Sequence, residues 1–390
     1  MQKQCDIDII IYGATGYTGR LVTEYFHTHY SEHRSIKWGI AGRDSQKLAS
    51  LKDQLKLPPE VTAITVDSDD LDAVTNMVQQ AKVVLTTVGP YQLYGENLIA
   101  ACALEGTDYV DLCGEPIWMH QIIKKYNNFA KLSGARLLFS CGFDSIPFDY
   151  GVWNIQQQAI KRFGLPANTI SARIRRLEGV FSGGSISSFQ ATQSTVIQEK
   201  KLTSLLDNPF ALADGFAGPV QPKLNEVRFD NMLQSWLAPF LLAPINTKNI
   251  HRTNKLLNHS YGTDFIYDEM IIVGPGFDNE RRAKRMSEND LLSRSYQIPG
   301  EGPTQNERKN GAYDVLFIGN TPKNQTISIS VKDDVDPGYG SSCKMISETA
   351  ICLLKHPRHA TGGIWTPASA LGEVLFERLK NYAGLKFIEE

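Results

Sequence analysis

Asp8-Ile-Ile-Ile-Tyr12-Gly13-Ala14-Thr15-Gly16-Tyr17-Thr18-Gly19 is the stretch whose reading decides the fold. A β-branched run leads into glycines spaced Gly-x-x-Gly-x-x-Gly. These lead into Arg20-Leu-Val-Thr-Glu-Tyr-Phe26, whose apolar residues recur at helical spacing. The order is strand, tight turn, helix. Gly13 lets the chain turn sharply, Gly16 lets the backbone approach a pyrophosphate, and Gly19 lets the helix pack close to the strand. Amides opening the helix would face the phosphates, helped by the helix dipole. Gly13, Thr15, Gly16, Tyr17, Thr18 and Gly19 are therefore the first candidates to hold a dinucleotide.

Outward from this stretch the pattern repeats. Strands are expected at Ile36 to Ala41, Val61 to Val66, Val83 to Val88, Tyr109 to Leu112 and Arg136 to Ser140. Helices alternate with them at Ser45 to Leu57, Leu71 to Gln80, Glu96 to Glu105 and Ile117 to Leu132. The strands are short and apolar, as in a parallel sheet covered on both faces. The expected class is α/β, a Rossmann doubly wound parallel sheet, with ligands beyond the carboxyl ends of the strands.

The second strand ends in Ala41-Gly-Arg43-Asp44, and its end selects between nicotinamide cofactors. Arg43 stands where a guanidinium can hold a 2'-phosphate, Lys47 lies one helical turn on, and Asp44 suits a helix cap better than a ribose. NADP is expected over NAD. Asp67, after the third strand, could accept from the adenine amine or cap a helix. The fourth strand leads into Thr87-Val-Gly89-Pro90-Tyr91-Gln-Leu-Tyr94, a loop that passes the nicotinamide ribose in this fold. Thr87 and Gly89 join the cofactor candidates. The next strand ends carry Cys113-Gly-Glu115-Pro and Cys141-Gly-Phe-Asp144-Ser145, with Cys113 and Glu115 as substrate-binding candidates.

Gly13 to Gly19, Ala41 to Asp44, Val88 to Tyr91, Tyr109 to Pro116 and Gly142 to Ser145 together resemble the saccharopine dehydrogenase-like oxidoreductases, most closely the branch of the trans-acting enoyl reductases. The resemblance continues through Phe181-Ser-Gly-Gly184, Asp336-Pro-Gly-Tyr-Gly340 and Gly362-Gly-Ile-Trp-Thr-Pro367. It implies a nicotinamide-binding domain over residues 1–150. A second, mixed-sheet α+β domain follows over 151–335, and a segment over 336–390 returns to the first. It also implies reduction of a lipid-type double bond, with an imine reductase of the saccharopine type as the alternative, and a homodimer.

Beyond residue 150 the alternation of strand and helix is lost. Gly151 to Phe163 reads as an amphipathic helix, and Thr169 to Leu177 as an edge or half-buried strand carrying Arg173, Arg175 and Arg176. Arg175 could clamp a substrate carboxylate. Ser182, Gly183 and Gly184 open a helix expected to run to about Leu206, and their free amides could take a carboxylate, phosphate or thioester oxygen. Trp236 to Ile245 is the most apolar stretch and could be core, acyl pocket, subunit interface or lipid contact. Arg281-Arg-Ala-Lys-Arg285 reads as a solvated helix face, or as a contact for phosphates. Further strands are expected at 271–273, 313–319 and 326–331, a polar loop over 299–311, and helices from 341 to 354 and from 366 to about 382. A short terminal strand follows.

Reducing a double bond conjugated to a carbonyl needs an acid near the α-carbon and a donor to the carbonyl oxygen. Tyr91, Tyr94, Asp144 and Ser145 are the catalytic candidates by topology. A formal net charge of -2 gives no sign of a nucleic-acid partner. The scattered cysteines and histidines offer no metal-ligand spacing, and no run reaches the length of a membrane span. The expected partner is a small-molecule or carrier-linked acyl substrate. The expected location is cytoplasmic, with peripheral membrane contact as an alternative. A third reading is a non-catalytic NADP-binding protein at a lipid surface.

Overall fold

The computed structural model describes residues 5–31, 36–198, 202–286, 298, 300–356 and 359–390. Its first sheet is parallel throughout, built of β1 (Ile7–Tyr12), β2 (Trp38–Gly42), β3 (Thr62–Thr65), β4 (Ala81–Thr86), β5 (Asp108–Val110) and β6 (Arg136–Leu138). The spatial order β6-β5-β4-β1-β2-β3 is that of a doubly wound dinucleotide fold. β1 lies between β2 and β4. Its side chains alternate, Ile9 and Ile11 entering one core cluster and Ile10 and Tyr12 the other.

A second, seven-stranded sheet is mixed. It comprises β7 (Thr169–Glu178), β8 (Arg228–Asp230), β9 (Ser235–Pro239), β10 (Ile266–Gly274), β11 (Ala312–Asn320) and β12 (Thr326–Asp333), closed at one edge by a strand from the end of the chain. Of the two alternatives, an edge or a half-buried strand, β7 is the half-buried one, lying between β11, antiparallel, and β10, parallel. Carboxylates from other strands neutralise Arg173 and Arg175 there. Arg173 pairs with Asp268 at 2.9 Å, and Arg175 with Asp314 and Glu390.

The last part of the chain serves both sheets. β13 (Gly363–Trp365) extends the first sheet in parallel beside β6, whereas β14 (Lys386–Glu389) pairs with β12 in the second. Between β12 and β13, helix Ser342–Lys355 packs against helix Tyr17–Tyr30 and across β4 and β5. It is buried on nearly every side rather than amphipathic. The reason is that Glu348 is neutralised inside: it accepts from Tyr25 at 2.8 Å, from Tyr30 at 2.5 Å and from Arg378 at 2.9 Å.

Other boundaries shift by local chemistry. The helix expected from residue 151 begins at Ile146, with Pro147 in its first turn, where a missing amide costs nothing. The helix opening at Gly183 is described to Gln198, and another runs over Thr203–Asp207; residues 199–201 lie outside the described residues. In the loop expected over 299–311, Thr304 and Glu307 form a capping box that starts helix Gln305–Asn310; Pro299 lies outside the described residues. No described helix is long and apolar enough to cross a membrane.

Candidate functional site

The turn after β1 is built as the glycine spacing requires. Gly13 has φ +87°, and a Cβ there would fall 2.8 Å from Val88 and 2.9 Å from the Thr87 hydroxyl. A Cβ on Gly19 would lie 2.0 Å from the Gly13 carbonyl oxygen, so only glycine lets the helix sit this close to the turn. Helix Tyr17–Tyr30 starts at Gly16 with no side-chain cap, whereas the next two helices of the sheet, Ser45–Leu55 and Leu71–Gln79, are capped by Asp44 and Asp70. A capping carboxylate would repel a pyrophosphate; its absence at the helix after the glycine turn leaves the first amides for an anion. The residues present thus fit a dinucleotide.

Around the adenosine end, Asp44 caps the helix by accepting from the Lys47 amide at 3.0 Å, leaving Arg43 exposed beyond β2. Asp67 does not cap a helix: it accepts from the Asp69 amide at 3.1 Å, and Asp70 holds the cap. Arg43, Asp67 and Asp69 all lie within electrostatic reach of the Tyr12 hydroxyl, whose pKa is pushed up to about 12, chiefly by burial. Thr15 stands beside Gly42 at the end of β2. Tyr17 is engaged by the segment around residues 303–308. Its hydroxyl donates to the Pro303 carbonyl and accepts from Arg308 at 2.9 Å.

Beyond the strand ends opens a cavity of about 810 Å³. Thr18, Thr87 and Gly89 border it on the cofactor side, with Glu115 and Asp144 at the two following strand ends. Helix Gly183–Gln198 supplies hydroxyls from Ser185, Ser188 and Thr192, preceded by Ser182. Leu241, Leu242, Pro244 and Ile245 supply an apolar wall. The apolar stretch 236–245 thus divides between β9, with Leu237 and Ala238 in the interior, and this wall. Among the described residues no Lys, Arg or His lines the cavity.

The sequence candidates fall in different places. Asp144 lines the cavity, and burial pushes its pKa up to about 6. Glu115 accepts from the Tyr91 and Gln92 amides at 2.9 and 2.8 Å, and from Ser188, so its carboxylate is committed to shaping the loop. Tyr91 borders the cavity, but its hydroxyl is tied to backbone, accepting from the Leu112 amide at 3.0 Å. Tyr94 is half-exposed and outside the cavity. Ser145 is buried behind the wall and accepts from Asn249 at 2.6 Å, and Cys113 is enclosed in the first sheet's core. Ser182 and Gly184 line the cavity; the Gly183 amide donates to the Glu301 backbone carbonyl at 3.1 Å. Arg175 is not brought to the cavity, its guanidinium being held by Asp314 and Glu390 on the second sheet.

Sequence reasoning missed Tyr339. Its stretch, Asp336 to Gly340, reads as a break, yet Asp336 accepts from the Tyr339 and Gly340 amides at 2.9 and 2.7 Å and winds a π-helical turn, Pro337–Ser341. That turn delivers the Tyr339 ring to the cavity. The signal available was a Pro-Gly-Tyr-Gly run with an acidic cap at its start.

Residues 9–137 match the family model of the saccharopine dehydrogenase NADP-binding domain, so the dinucleotide is NADP. A Mycobacterium tuberculosis protein, Rv2449c, is 33% identical over 96% of this chain and 95% of its own. A protein of Mycobacterium ulcerans named trans-acting enoyl reductase is 30% identical over 96% of each. Among solved structures, apo saccharopine dehydrogenase (L-Glu forming) from Saccharomyces cerevisiae superposes with a TM-score of 0.56 at 12% identity, covering 98% of this chain and 99% of that one. That likeness speaks to the fold. With its NADP-binding turn and its near full-length relatives, the chain belongs to the saccharopine dehydrogenase-like oxidoreductases, in the group that contains the trans-acting enoyl reductases.

Proposed function

We propose that this protein uses NADPH to reduce the carbon-carbon double bond of an uncharged, acyl-type substrate, free or carried on a partner. One observation carries the reading: a cavity runs from Thr18, Thr87 and Gly89 to the apolar wall of Leu241, Leu242 and Ile245 without a cation among the described residues that line it. Bound at the glycine turn, NADPH supplies hydride. The chain's own part is to orient the acyl group and stabilise charge. An imine reductase of the saccharopine type handles carboxylates, which call for cations in the site. Among the described residues the cavity's ionisable side chains are Glu115, Asp144, Asp207 and tyrosines, and Arg175 is engaged elsewhere. This favours the neutral enoyl substrate.

The test is NADPH oxidation by the purified protein with enoyl thioesters of increasing chain length, beside imines formed from an oxo acid and an amino acid. Oxidation with the thioesters alone, giving the saturated product, supports the reading. Oxidation with the carboxylate imines alone would refute it.

A further inference from the structure

Adding hydride to the β-carbon of an enoyl thioester drives negative charge onto the carbonyl oxygen, and a fixed donor at that oxygen lowers the barrier. The cavity holds one side chain built for that task. Tyr339 is buried, lines the cavity, and is fixed at both ends. Its backbone amide is pinned by Asp336, and its ring packs edge-on against Tyr17, with centroids 5.1 Å apart. Tyr17 opens the helix that follows the phosphate turn, so the same contact ties the ring to the cofactor side. The phenol oxygen accepts from the Ser182 amide and lies 2.9 Å from the Ser185 hydroxyl. An oxygen that already accepts from an amide directs its own proton elsewhere, toward Ser185 or toward a ligand in the cavity.

Resting on the reduction proposed above, we infer that the Tyr339 hydroxyl, with Ser185 beside it, holds the substrate's carbonyl oxygen and carries the charge that develops there. The competing groups are otherwise committed. The Tyr91 hydroxyl accepts from the Leu112 amide and turns its proton to the Thr86 carbonyl, Ser188 is tied to Glu115, and an ionised Asp144 would repel an enolate. Burial and the nearby Asp144 charge raise the pKa of Tyr339, outweighing its bonds to Ser182 and Ser185, so the phenol stays protonated and able to donate at neutral pH. The electron balance is simple. Hydride brings its electron pair to the β-carbon, the π pair moves onto the carbonyl oxygen, and the α-carbon then takes a proton from water. NADPH becomes NADP⁺, and Tyr339 keeps its proton throughout.

The experiment uses the whole chain and a cinnamoyl thioester, whose absorption moves to longer wavelength when its carbonyl accepts a strong hydrogen bond. The parent is expected to bind the probe with that shift. Tyr339→Phe is expected to bind probe and NADPH within about threefold of the parent, to lose the shift, and to lose about a hundredfold to a thousandfold in kcat with little change in KM. A shift retained by Tyr339→Phe, a parent that binds the probe unshifted, or a parent that does not bind it would each overturn the inference. A shifted probe in a parent that oxidises NADPH with no enoyl thioester would sink the reduction reading while supporting the carbonyl-holding role.

Discussion

At the scale of the residue, the cofactor reading is testable at Arg43. Arg43 is exposed beyond β2, with Asp44 committed to its helix cap. A guanidinium-phosphate contact contributes about 1.5–3 kcal/mol, so Arg43→Ala should weaken NADPH binding by about tenfold to a hundredfold and leave NADH nearly unchanged. Nicotinamide fluorescence titration reads both. Gly19→Ala would place a Cβ 2.0 Å from the Gly13 carbonyl oxygen. Such overpacking costs about 1–3 kcal/mol in thermal unfolding and should distort the phosphate turn enough to abolish NADPH binding. The glycine turn was legible in the sequence because it is a local device. Tyr339 was not, because its meaning depends on Ser182, 157 residues away.

At the scale of elements, helix Ala243–Leu256 explains what sequence patterning hides. It carries Asn246, Lys248, Asn249, Arg252, Thr253 and Asn254, all buried, and looks from sequence like a surface segment. Each of these side chains makes at least one hydrogen bond outside the helix. Asn246 donates to Glu269 at 2.7 Å, Arg252 to the Leu212 and Ile364 carbonyls, and Thr253 to Asp149 at 2.6 Å. The first-sheet strands, by contrast, announced themselves through apolar runs that need no partner to be read.

Asp149 also accepts from the Ala368 amide, joining helix Ile146–Phe163 to the helix that starts at Pro367. Burial pushes its pKa from the ordinary 3.8 up to about 7. The folded protein therefore holds a proton that the unfolded chain releases. Its contribution to stability is complete below about pH 4 and is lost as pH rises through about 7, with a ceiling on the order of 4 kcal/mol. Asp149→Asn should flatten that part of the stability-pH curve, as measured by denaturant unfolding between those limits. An unchanged slope would show that other groups set it.

At the scale of the molecule, the cavity lies where the two sheets' layers meet, walled on one side by strand ends of the first and on the other by segments around the second. The first layer could be read from the sequence strand by strand. The second could be read only in part: β7, β10, β11, β12 and β14 show in the sequence, whereas β8 and β9, like β13 at the edge of the first sheet, are too short to be read. Leu242 marks the consequence for substrate choice, since it stands half-buried on the apolar wall. Leu242→Trp should raise KM for long enoyl thioesters about tenfold relative to short ones, without altering NADPH binding. A chain-length series measured on parent and variant would reveal any other pattern.

The central claim is hydride transfer from NADPH to the double bond of an acyl substrate. The most direct test is a single turnover with NADPH carrying deuterium at the transferred position of the nicotinamide and an enoyl thioester, followed by mass spectrometry and NMR of the product. The account predicts one deuterium, on the β-carbon of a saturated thioester. Unchanged thioester after NADPH has bound, or deuterium on the carbonyl carbon, would contradict it.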